Sequence, residues 1–141
     1  MNNTYPIACL TFAAAERVLD AAVAKAAEIG LAVCVNVCDP SGDPIVAGRM
    51  DGAPRLSAEI ARNKAWTVAS FGGMPTHVWW PAIENDPSLV HGITHTPRLV
   101  IFGGGVPVLV DGVVAGAVGV SGGSADQDRE IAEAGAATLA A

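Results

Sequence analysis

Apolar side chains first recur at helical spacing: Phe12, Ala15, Leu19, Ala22, Val23 and Ala26 fall on one stripe. Thr11 precedes that stripe as a candidate cap for the free N–H groups, and Gly30 follows as a stop, so a helix is predicted from Thr11 to Ile29. The period then drops to two. Val33, Val35 and Val37 alternate with Ala32, Cys34 and Asn36, as the two faces of a strand require. Asp39-Pro40-Ser41-Gly42-Asp43-Pro44 concentrates turn formers ahead of Ile45 to Met50, which makes the pair a hairpin.

Asp51-Gly52 ends the second strand, and Pro54 suits the first turn of a new helix whose pattern runs to about Phe71. Gly72-Gly73 and Pro75 stop it. A shorter helix is predicted from Thr76, anchored by Trp79 and Trp80, and then a loop through Pro87 and Gly92. Leu99 to Phe102, Val106 to Val110 and Val113 to Val120 read as strands, the last two joined at Asp111-Gly112. Ser124 and Gln127 have capping-box spacing, with Asp126 and Asp128 at the positive end of the closing helix. Because the strands connect mostly by hairpins, the expected class is α/β in the broad sense, more narrowly α+β: a five-stranded antiparallel sheet flanked by helices.

A chain of 141 residues suits one domain, residues 1–141. Apolar residues are 51% and charged residues 16%, which excludes disorder and leaves apolar surface that self-association would cover. A homo-oligomer is therefore expected. The formal charge of −6 has the wrong sign for phosphate neutralisation, so nucleic acid is an unexpected partner. Leu99 to Ser121 is apolar, yet Pro107, Asp111 and several glycines interrupt it, which argues for strands and against a membrane partner. No Lys or Arg occurs before Arg17, so no secretory leader is read and a cytoplasmic address is expected. Cys34 and Cys38 lie four apart in a strand, roughly 13 Å, and are read as small core residues rather than a disulfide.

Lys64 is the most informative position for chemistry, because it shares a helical stripe with Ser57, Ile60, Ala61, Val68 and Phe71. A cation interrupts an apolar face. It either snorkels to water or serves a pocket, binding a carboxylate or moving a proton, and the second role needs an anionic counterpart. Arg49 and Asp51 alternate onto one face at the end of the second strand, just ahead of this helix. They form either a structural ion pair or, with Lys64, the mouth of a site in which Arg49 clamps a carboxylate and Asp51 handles protons.

Gly119-Val120-Ser121-Gly122-Gly123 matches G-x-S-x-G, but every histidine precedes Ser121, which is the wrong order for a hydrolase triad. The preferred reading is an anion seat at a helix N-terminus formed by Ser121, Gly122 and Gly123. Gly103-Gly104-Gly105 lacks a phosphate-loop lysine and marks a bulge or the close approach of a backbone or flat ligand. His77, His91 and His95 are the only histidines, and without an H-E-x-x-H pattern no metal site is assigned. One of them is available for haem ligation or proton transfer. Asp51, Lys64 and His95 are the catalytic candidates.

The order and spacing of Arg49-Met50-Asp51-Gly52-Ala53, Ser57, Ile60-Ala61, Lys64-Ala65, Pro75-Thr76, Gly104-Gly105-Val106-Pro107, Gly119-Val120-Ser121-Gly122-Gly123, Gln127-Asp128, Ala132 and Ala134-Gly135 resemble the GlcG/HbpS family from about Leu10 to Ala137. The resemblance implies a PAS- or profilin-like fold, assembly into octamers and the binding of haem or a related tetrapyrrole. Family members also include proteins encoded beside catabolic pathways. That keeps a second expectation open, a hydrolase, isomerase or lyase acting on a small muconate-like carboxylic acid without a cofactor. A small anionic ligand is common to both.

Overall fold

The hydroxyl of Thr11 accepts a hydrogen bond from the Ala14 N–H at 3.1 Å, and the helix it caps, α1, runs Phe12–Glu28 before Gly30 turns the chain at φ +78°. The computed structural model describes residues 1–140. β1 (Cys34–Cys38) and β2 (Pro44–Arg49) form the antiparallel hairpin. Its loop is tied by the Asp39 carboxylate, which accepts from the N–H groups of Ser41 and Asp43 at 2.9 and 3.0 Å. α2 (Leu56–Ser70) then crosses back over the sheet. β3 (Gly105–Val110) and β4 (Val113–Ser121) join through Asp111 and Gly112, at φ +52° and +77°, the left-handed pair that an Asp-Gly turn adopts. The last helix, Ala125–Ala137, opens with the full capping box of Ser124 and Gln127.

The strand order is β2-β1-β4-β3, antiparallel at every pairing. Val35, Val37, Val118 and Val120 pack with Val18, Ala22 and Ile131 under the first and last helices, while Cys34, Cys38 and Ala117 face α2. All five residues of β1 are buried, as expected of a strand covered on both faces. Ala115 is a bulge residue opposite the Val108–Leu109 step, and its carbonyl accepts from the Leu10 N–H at 3.0 Å, which binds the N-terminal segment to β4.

Leu99 to Phe102 is not the predicted strand, so the sheet has four strands and not five. The Leu99 N–H bonds back to Thr96 O at 3.3 Å, and the Val100 N–H donates to Thr67 Oγ1 of α2 at 3.0 Å. A turn and a side chain have taken the donors that a neighbouring strand would have used. Pro107, which has no N–H to give, accordingly sits in an edge strand. The segment after Thr76 also differs from expectation. It holds a 3-10 turn (Thr76–Val78), α3 (Trp79–Ile83), α4 (Pro87–Gly92) and a second 3-10 turn (Ile93–His95). Where a loop was predicted, the Asp86 carboxylate caps α4, accepting from the Ser88 and Leu89 N–H groups, with Pro87 at the first helical position. The closing helix Ala125–Ala137 is α5.

α2 lies directly on β4 because the residues at the contact are small. A Cβ added to Gly119 would collide with Ala61 O and stand 2.6 Å from Ala65 N. Gly119→Ala is therefore expected to cost about 1–3 kcal/mol of unfolding free energy. Gly92→Ala, where nothing lies within 4 Å, should change it by no more than about 0.5 kcal/mol. Denaturant titration of the two variants checks the contrast, and equal stabilities would refute the close approach.

Candidate functional site

Lys64 points inward as its stripe predicts, and only 1% of its surface meets water. Its ammonium donates to Val120 O at 2.8 Å and to Asp128 Oδ2 at 3.0 Å, and it lies 5.1 Å from the centre of the Phe102 ring. The other Asp128 oxygen accepts from the Gly123 N–H at 2.8 Å. Burial pushes the lysine down from its ordinary value and the carboxylate up, each opposed by the charge of the other. Gly104 makes room for this pair. At φ +127°, a Cβ there would stand 2.6 Å from the ammonium and 2.9 Å from Asp128 Cβ. The glycine run thus marks a close approach, and what approaches is the chain's own lysine.

Asp128 is the anionic counterpart that the sequence reading lacked. The signal was present, since Asp128, Ile131, Ala132 and Gly135 share the buried stripe of α5. A lone carboxylate on one inward stripe matches the lone ammonium on another. The same residue corrects the anion seat expected at Ser121, Gly122 and Gly123, because the Gly123 N–H is spent on Asp128 and the Ser124 N–H on Gln127 Oε1. Ser121 is buried, in register with Cys34.

The Lys64 ammonium is not free to serve the mouth that was expected of it with Arg49 and Asp51, because Val120 O and Asp128 already take it. Arg49 is exposed at the end of β2, in register with Cys34, whose other neighbour is Ser121 of β4. There it lines a hollow of about 190 Å³ with Cys34, Asn36, Ala47 and Ala58. Asp51 is exposed in the following turn, and His95 is exposed on the second 3-10 turn.

His77 borders a cavity. It lines a mostly apolar cleft of about 310 Å³ with Pro75, Val106, Pro107, Leu109 and Ala136, between the β3 edge and α5. Its Nδ1 is buried without a hydrogen-bond partner. Burial and the Arg129 guanidinium hold the imidazole below its usual value, with Glu133 pulling the other way. A neutral ring is the form that ligates a metal. Sequence spacing did not single out His77 from His91 and His95, because the cleft is built from segments remote in sequence.

The architecture defines an α+β domain with helices on both faces of an antiparallel sheet. The sequence model of the family described as "Haem degrading protein HbpS-like" matches residues 10–137, and the chain belongs to this HbpS-like family. An uncharacterised 15.0 kDa protein of the dhaT-dhaS intergenic region of Citrobacter freundii is 44% identical over 135 residues, 94% of each chain. The crystal structure of Klebsiella pneumoniae protein ORFY superposes with a TM-score of 0.92 at 38% identity, covering 100% of this chain and 97% of that one. A solved complex of PduOC with haem superposes at 0.84 with 32% identity, covering 93% and 95%.

Lys64→Met leaves the Asp128 carboxylate buried and uncompensated, and a loss of about 3–5 kcal/mol in unfolding free energy is expected. Replacing both residues, Lys64→Met with Asp128→Leu, should cost much less than the two single losses added together. A double-mutant cycle by denaturant titration checks this, and strict additivity would refute the pairing.

Proposed function

We propose that this protein binds haem or a related tetrapyrrole, with His77 as the protein's ligand to the iron. The observation that carries the reading is the cleft at the β3 edge, where a histidine held towards its neutral form stands in a wall of apolar side chains and Glu133. The haem complex of a chain 32% identical supports the same ligand class. Arg129, bonded to Glu133 at 2.7 Å, stands close enough to act on the imidazole and offers a cation for a peripheral carboxylate of the ligand. Bound there, the iron would supply ligand exchange and redox chemistry, and this chain's part is to hold it through a neutral nitrogen and keep water from its apolar rim.

At about 310 Å³ the cleft lies at the lower end of the range for ligand pockets, roughly 300–1,000 Å³. It takes one edge of a macrocycle. Leu109 lines the cleft and is 38% exposed, and Val110 and Val113 of the same hairpin are exposed as well. A second copy laid on this apolar edge would cover the rest of the ligand, so the reading includes a homo-oligomer.

Hemin titration followed at the Soret band tests the assignment. His77→Ala should weaken binding by about tenfold or more, which is about 1.4 kcal/mol, while His91→Ala and His95→Ala bind as the parent does. Loss in either of the latter with retention in His77→Ala would overturn the role of His77. The pH dependence has a definite sign. Because the folded imidazole titrates below its ordinary value of about 6.5, hemin affinity should hold as pH falls to that value and decline only beneath it. The unfolded chain takes this proton first, so stability also falls with pH from about 6.5 down to the folded value. An affinity that already halves above pH 7 would contradict the neutral ring.

A further inference from the structure

At the opposite edge of the sheet from the His77 cleft lies the hollow bounded by β1, β2 and the first turn of α2, about 190 Å³ in volume. Small side chains at Ala47 and Ala58 leave it open. Cys34 pairs with Arg49 and Asn36 with Ala47, so all four side chains project to the α2 face. Asn36 and Arg49 are diagonal neighbours, about 7–8 Å apart along the backbone. Asn36 is 5% exposed, and its Oδ1 has no hydrogen-bond partner. Arg49 takes part in no ion pair among the described residues. A buried acceptor without a donor and a guanidinium without an anion therefore flank one small cavity. A buried acceptor left unpaired, as Asn36 Oδ1 is, is rare in folded chains and points to a missing partner.

We propose that this hollow is a binding site for a small organic acid that carries a hydroxyl or amino group beside its carboxylate. The Arg49 guanidinium takes the carboxylate through its fork, and the ligand's O–H or N–H donates to Asn36 Oδ1. A cavity of 190 Å³ displaces about six waters at roughly 30 Å³ each, which suits a short acid and excludes a macrocycle. Cys34 forms part of the wall as a neutral thiol, because burial raises it from its ordinary value and Arg49 offsets only part of that rise. The site binds; it carries no nucleophile. Nothing in it depends on haem, and the two sites lie at different sheet edges.

The test is a titration of the 15N-labelled protein with lactate, with alanine as the amino analogue, and with propanoate and lactamide as controls lacking the donor or the charge. Saturable shifts of the Asn36 side-chain amide and the Gly48 N–H are expected with lactate or alanine, half-saturating at about 1 mM or below. Propanoate and lactamide should bind about tenfold more weakly. Arg49→Gln alters an exposed side chain and should lose about tenfold in lactate affinity while keeping the parent's circular dichroism and hemin affinity. No saturable response to either ligand, an undiminished response in Arg49→Gln, or loss of hemin affinity in that variant would overturn the proposal.

Discussion

An ammonium and a carboxylate that both surrender their water must find each other, and in this protein that requirement joins the two helical layers. Lys64 comes from α2 on one face of the sheet and Asp128 from α5 on the other, and they meet 3.0 Å apart beside the end of β4. Val120 O and the Gly123 N–H complete the network. Such a pair contributes little net stability over apolar residues of equal volume, because its desolvation cost offsets the attraction. Its effect is positional. It holds α2 against the sheet and sets the strand-to-helix turn from which α5 departs. Gly104 has no Cβ because the lysine occupies that space.

The central strands are covered on both sides, and two of the cavities lie at the sheet edges, where that cover runs out. At the β3 edge, Pro107 interrupts the donors and α5 leaves an apolar cleft with His77 at its wall. At the β2 edge, two alanines fail to fill the space beneath the first turn of α2, and Asn36 and Arg49 face the gap. One cavity is apolar with a neutral nitrogen, and the other is small, with a cation and an acceptor. Their chemistries are complementary to different ligands. Between them the sheet is closely packed at Gly119 and Gly105.

Local signals were legible wherever a side chain acts on backbone near it in sequence. Thr11, Asp39, Asp111-Gly112 and the Ser124–Gln127 box each bond or turn within a few residues, and the elements they delimit lie where the pattern placed them. The Asp86-Pro87 start of α4 belongs to the same class of signal, hidden by the glycine and proline that follow. Leu99 to Phe102 has the composition of a strand and is none, since its donors go to Thr96 and to Thr67 of a distant helix. Propensity describes a segment, whereas pairing belongs to its neighbours.

The sequence alone determined the periodicities, caps and turns, hence the layers of the domain, its family and the inward aim of Lys64, because hydrophobic burial at fixed helical and strand periods leaves little choice of face. Only the tertiary structure decided what each inward group meets. Asp128 lies 64 positions beyond Lys64, whereas Arg49 and Asp51, two positions apart, are both exposed and form no ion pair among the described residues. Periodicity sets the direction of a side chain from its own backbone, but the partner it reaches is brought there by chain folded from elsewhere.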